Sequence, residues 1–263
     1  MSAIGVFDSG VGGLTVAREI MRQLPNETIY YFGDVKNCPY GDRKKEEIIK
    51  YTEKAVEFLI SKGVKMIVLA CNTATAAALD YLHDKYELPI IGVVQPGARR
   101  AIQASENNKV LVLGTRFTAQ SKVYNNEIDN INPEMTVYNK SCPTFCPFIE
   151  AEGNLIPHAT ENLLKEALDE TKKLDMDTVV LGCTHYPILK KEIEKFYGKD
   201  IKVISSGREA AREVSTVLTY EKLHQKKLNK TAHQFFISQE GKNFNNIASK
   251  WLKQDIIAQV VDI

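Results

Sequence analysis

Apolar residues along this chain alternate between two rhythms. Residues 4–7, 28–32, 66–70 and 90–94 are short, mostly apolar runs, the signature of strands covered on both faces. Between them the apolar positions spread to intervals of three and four. Leu14, Val16, Ala17, Ile20 and Met21 predict a helix reaching Leu24-Pro25. Ile48, Ile49, Ala55, Val56, Leu59 and Ile60 form the stripe of a helix over 45–62, stopped by Gly63. A further helix over 73–85 leads to Pro89 and the fourth run.

The same alternation then restarts. Pro96-Gly97 opens a predicted helix over 98–104, and strand 109–113 ends in Gly114-Thr115. A helix follows through Thr118 and Val123 to Ile128. Strand 135–139 runs into a proline-broken loop over 142–147. Helix 157–173, strand 178–181, helix 187–196 and strand 201–204 complete the series. Beyond Gly207 the pattern predicts a helix over 208–220, a Lys-rich surface loop over 221–230 and a strand over 233–238, placed at a sheet edge. Phe244, Ile247, Ala248 and Trp251 lie at i, i+3, i+4 and i+7, the stripe of a docked helix. This tail is expected to return to the first half.

Strand–helix alternation that occurs twice in matching order predicts an α/β fold of two pseudo-symmetric parallel-sheet halves. Ligands of open parallel sheets bind at the carboxyl ends of strands. Asp8, Asp34, Cys71, Thr115 and Cys183 all fall at such ends, which places a site in the cleft between the halves.

Composition narrows the function. A net charge of +1 gives no reason to expect nucleic acid or an anionic membrane surface as partner. No apolar run approaches a membrane span. The first residues carry neither a basic stretch nor a long apolar one, so the expectation is a cytoplasmic protein. Five cysteines, Cys38, Cys71, Cys142, Cys146 and Cys183, are an odd set without C-x-x-C spacing, which argues against a disulfide framework and against a zinc finger. Cys142 and Cys146 read as packing or loop thiols.

Two segments carry the candidate chemistry: Ala70-Cys71-Asn72-Thr73-Ala74 and Gly182-Cys183-Thr184-His185-Tyr186-Pro187. Each places a cysteine just past a buried strand, at a predicted helix N-terminus. Aligned peptide N–H groups there lower a thiol from about 8.5 toward neutrality, where it can both take and return a proton. A single buried cysteine is usually only core; two in equivalent places favour chemistry. His185 is placed to tune Cys183. Asp8 is placed to orient Cys71, to meet a substrate ammonium, or to cap the following helix. Gly10-Val11-Gly12-Gly13 invites a dinucleotide reading, but Thr15 stands where the third glycine of G-x-G-x-x-G belongs. Close backbone approach to a small anion is the better reading.

Together with Phe7-Asp8-Ser9-Gly10-Val11-Gly12-Gly13-Leu14-Thr15-Val16, Pro39-Tyr40-Gly41 and the stretch 145–150, these segments resemble the bacterial glutamate racemases of the cofactor-independent aspartate/glutamate racemase superfamily. The resemblance extends over about the first 210 residues. It implies a homodimer that interconverts L- and D-glutamate for peptidoglycan synthesis with no cofactor and no metal. By resemblance Cys71 acts on the D-enantiomer and Cys183 on the L-enantiomer, assisted by Asp8 and His185, with Glu150 a weaker candidate near His185. Asp8, Ser9, Tyr40, Gly41, Asn72, Thr73, Thr184 and His185 correspond to substrate-binding positions. The implied domains are 1–94 with 208–263, and 95–207. An aspartate racemase and a non-catalytic binder of amino acids or nucleotides remain as alternatives.

Overall fold

The computed structural model describes residues 3–152, 156–225, 232–241 and 243–263. In chain order the first half comprises β1 (Ala3–Asp8), α1 (Leu14–Gln23), β2 (Thr28–Gly33), α2 (Lys45–Ser61), β3 (Met66–Leu69), α3 (Asn72–Lys85) and β4 (Ile90–Gly92). Next come α4 (Val94–Ala104), β5 (Lys109–Gly114), α5 (Arg116–Gln120), α6 (Val123–Asp129), β6 (Thr136–Ser141), α7 (Phe145–Glu152), α8 (Pro157–Leu168), β7 (Thr178–Gly182), α9 (Lys190–Tyr197) and β8 (Lys202–Ser205). The chain closes with α10 (Ser206–Tyr220), β9 (Gln234–Ile237), α11 (Phe244–Leu252) and β10 (Gln259–Val260).

The strands form two sheets, ordered β10-β9-β2-β1-β3-β4 and β6-β5-β7-β8, and every pairing is parallel. The order β2-β1-β3-β4 of the first sheet is repeated as β6-β5-β7-β8 in the second. The duplication read from the sequence is therefore topological: β1 corresponds to β5 and β3 to β7. In each sheet the chain first crosses to one side and then to the other, so a switch point lies beside β1 and beside β5.

Alternation along the strands divides the core. Ile4 and Val6 of β1, Met66 and Val68 of β3, Leu111 and Leu113 of β5, and Val179 and Leu181 of β7 join one apolar cluster with residues of α1, α10 and α11. Phe7, Ile67 and Leu69 face the opposite side with α2 and α3, and Val110, Val112 and Val180 pack against α4 and α6. The shared cluster fastens the two sheets to one another. Gly207 contributes to that junction, because a Cβ on it would sit 2.8 Å from Val16 Cγ2. At the opposite end of the first sheet from the cleft, buried Lys65 pairs with buried Glu27 at 2.6 Å and donates to the Leu223 carbonyl at 2.6 Å.

Several boundaries depart from the sequence reading. The helix expected from residue 98 starts at Val94, so Pro96 and Gly97 occupy its first turn, where proline's missing N–H costs nothing. The 142–147 loop is shorter than expected: α7 begins at Phe145, and Pro147 again falls in a first turn. Helix 157–173 is α-helical to Leu168 and 3-10 over Asp169–Lys173. The tail does return to the first sheet, but β9 is not an edge strand, since β10 covers it through Gln259 and Val260. Positions 226–230 of the expected Lys-rich loop lie outside the described residues.

Candidate active site

The carboxyl ends of β1, β3 and β7 converge with the start of α7 on one cavity of about 480 Å³, within the range of small-molecule sites. Ser9, Tyr40, Gly41, Cys71, Asn72, Thr73, Cys183, Thr184 and His185 all line it, as does Glu150. Residues that lie far apart in the chain thus meet because the strands that deliver them end on the same side. Phe244 and Ile247 of α11 add an apolar wall.

Cys71 is the N-cap of α3, and its sulfur accepts from the Ala74 N–H at 3.4 Å. The thiol also contacts the Ser9 hydroxyl at 3.6 Å. The expected lowering toward neutrality is not found. Burial, reinforced by the Asp8 carboxylate, pushes this thiol up to about 12 against the helix amide and Ser9. Cys71 therefore rests as a thiol.

Cys183 behaves in the opposite sense. A 3-10 turn over Tyr186–Leu189, rather than an α-helix, follows it. Its sulfur lies 3.5 Å from that of Cys146. That hydrogen bond and then the charge and backbone N–H of His185 outweigh burial and hold Cys183 well below the ordinary thiol value. Burial works against a charged His185, yet the Cys183 thiolate and Glu150 raise it to about 10. His185 Nε2 sits 2.7 Å from Glu150 Oε1, and its ring meets Trp251 edge-on at 6.0 Å. The surroundings thus favour the charged forms of Cys183 and His185 on one side and the neutral thiol of Cys71 on the other.

Asp8 lies behind the cavity wall, fully buried. It accepts from the Gly10 N–H at 3.0 Å and from the Thr184 hydroxyl at 3.3 Å. Its hydrogen bonds thus reach toward the Cys183 loop, and among the described residues none joins it to Cys71. Gly13, not Asp8, is the N-cap of α1. Burial raises Asp8 to about 6, opposed by the His185 charge and the Gly13 and Gly10 amides. Tyr40 spends its hydroxyl on Asp34 Oδ2 at 2.6 Å, so it offers the cavity its ring and backbone. Tyr124 donates to Asn72 Oδ1 at 2.7 Å, which leaves the buried Asn72 Nδ2 without a partner and free to donate to a ligand.

Three features escaped the sequence reading. Cys146 is no mere loop thiol; it touches Cys183. The available signal was its spacing of four from Glu150, which puts both on one face of a helix. Thr15, noticed only as a missing glycine, donates to the Thr184 carbonyl at 2.8 Å and ties the first turn to the second cysteine loop. Gly12 lies so close to that loop that a Cβ would sit 2.3 Å from Thr184 Oγ1 and 2.5 Å from His185 Nδ1.

The family model for "Asp/Glu/Hydantoin racemase" matches residues 4–214. The chain belongs to this racemase family. It is 46% identical over 260 residues to the glutamate racemase of Staphylococcus haemolyticus, covering 99% of this chain and 98% of that one. Its fold superposes on glutamate racemase isoform RacE1 from Bacillus anthracis with a TM-score of 0.95 at 42% identity, covering 100% of this chain and 98% of that one. Glutamate racemase from Francisella tularensis, solved in complex with D-glutamate, superposes with a TM-score of 0.92 at 33% identity, covering 99% and 97%. The resemblance drawn from the sequence motifs is borne out, as is the two-sheet α/β architecture. The chain is a racemase, and so an isomerase.

Proposed function

We propose that this racemase interconverts L- and D-glutamate by a two-thiol proton exchange at Cα without a cofactor. The observation that carries the reading is that Cys71 and Cys183, delivered by the equivalent strands β3 and β7, line one cavity. The Cys183 thiolate removes the Cα proton of L-glutamate while the Cys71 thiol delivers its proton to the opposite face. D-glutamate leaves, with Cys183 now the thiol and Cys71 the thiolate. D-glutamate reacts by the reverse sequence, Cys71 as base. Both routes balance in protons without rotating the substrate.

The negative charge that develops on the substrate needs fixed donors in a dry site. Asn72 Nδ2, Ser9, Thr73 and Thr184 supply them to the α-carboxylate, together with the backbone about Tyr40 and Gly41. Asp8 acts on Cys71 through its charge alone, which adds to burial in keeping that thiol protonated, His185 assists Cys183, and Glu150 holds the His185 ring. Residues 1–94 with 208–263 form one domain and 95–207 the other, in agreement with the division of strands between sheets, and their closure excludes water. In the cell the enzyme works as a cytoplasmic homodimer supplying D-glutamate for peptidoglycan.

The test is proton NMR of L-glutamate with purified protein in D2O, without pyridoxal phosphate. Loss of the Cα–H signal with growth of D-glutamate in a chiral assay is the expected result. Exchange with aspartate but not glutamate would keep the mechanism and move the substrate. Exchange with neither would favour an amino-acid-binding protein.

A further inference from the structure

We propose that Cys146, Cys183 and His185 form a three-ligand site for a thiophilic divalent cation of the zinc class, opening on the cavity. The two sulfurs are 3.5 Å apart, close to the separation of about 3.8 Å between two sulfurs on one tetrahedral zinc at ordinary Zn–S length. One donor atom from each of the three residues lies within 4.8 Å of the other two.

The histidine is prepared for this use. Its Nδ1 is buried and has no hydrogen-bond partner, while Nε2 is engaged by Glu150 at 2.7 Å. Once the ring gives up its second proton, the carboxylate at Nε2 fixes the tautomer whose Nδ1 carries the lone pair, the usual outer support of a metal-bound histidine. Two thiolates and a neutral imidazole would balance a dication.

Chemistry and access both select the cation. Sulfur and imidazole donors prefer zinc, cobalt or cadmium to magnesium or calcium. Cys146, Cys183 and His185 all line the cavity, so the ion has an entry path. Cys142 is outside the set, its thiol facing the Lys140 carbonyl at 3.9 Å. Binding releases the Cys146 thiol proton and the proton that a charged His185 carries on Nδ1. Given the racemase reading, it also occupies the sulfur lone pair that would accept the Cα proton, so the cation is a reversible inhibitor.

The probe is Co²⁺, titrated into the metal-free full chain under argon with a phosphine reductant to keep the cysteines reduced. The expected result is a near-ultraviolet thiolate-to-cobalt band with tetrahedral visible bands, saturating at one equivalent and bleached by Zn²⁺. Cys146→Val, and Cys146→Ser should the valine variant fold poorly, lose about 100-fold or more in affinity, the upper end of what even an outer-shell loss costs. No cobalt band in the unmodified protein, or matching titrations in the unmodified protein and the Cys146 variants, overturns the site. Zn²⁺ should stop racemisation, and EDTA should restore it. A cobalt spectrum from a protein that never racemises glutamate removes the racemase reading and leaves the site. Racemisation without a cobalt spectrum does the reverse.

Discussion

Asp8→Asn should make the protein more stable at neutral pH relative to acid, while impairing turnover. A carboxyl raised from 3.8 to about 6 on folding is a group whose protonated form the folded state prefers. Below pH 3.8 it is neutral in both states and costs nothing. As pH rises toward 6 the unfolded chain releases the proton first, so stability is lost across that window and stays lost above it. The full penalty is about 3 kcal/mol, of which about 2 kcal/mol develops between pH 4.5 and pH 7.5. Asparagine does not ionise, keeps an oxygen for the Gly10 N–H, and can face Thr184 with its amide. Urea denaturation, followed by fluorescence of the single tryptophan, Trp251, measures both proteins at several pH values. The stability of Asp8→Asn minus that of the unmodified protein should climb by about 2 kcal/mol over this range. A flat difference, or one that falls with pH, would refute the account of a carboxylate held in place against its own burial cost.

Further outcomes follow from the same geometry. Cys71→Ser and Cys183→Ser should each sharply reduce racemisation in both directions; full activity in either variant removes that cysteine from the mechanism. At pH 7 iodoacetamide should alkylate Cys183 before Cys71, because the thiolate is the nucleophile; peptide mapping showing equal rates would contradict the asymmetry. Gly12→Ala drives a methyl into Thr184 and His185, and misplacement on this scale costs about 100-fold in kcat/KM; an unchanged value would mean that the loop adapts. Lys65→Met strands the buried Glu27 carboxylate and should cost about 3–5 kcal/mol, largely recovered by adding Glu27→Leu; a loss below about 1 kcal/mol in urea would show that the pair is not isolated from water.

The alternation of apolar runs and stripes was enough to read the duplicated α/β plan, because strands buried on both faces leave no polar residue to blur them. Cys71 and Cys183 were legible for the same reason, each ending such a strand. Helix starts were harder. Pro96 looks like the residue ahead of its helix and Pro147 like a break, but both sit in first turns, where a proline is tolerated. The protonation of Cys71 was misjudged because helix-end amides are local and visible, whereas burial is set by distant residues. Cys146 was overlooked because its neighbour Cys183 arrives from another strand, and β10 because two residues carry no period.

The apolar wall of the cavity comes from α11, and Trp251 of that helix props the ring of His185. Neither belongs to the duplicated four-strand plan that delivers the cysteines, hydroxyls and carboxylates. Proton chemistry and cavity shape are thus written in different lengths of the gene. Substitutions at Phe244 and Ile247 can re-cut the chamber, and hence which side chain or inhibitor it admits, while the two cysteines stay at the ends of the strands that deliver them.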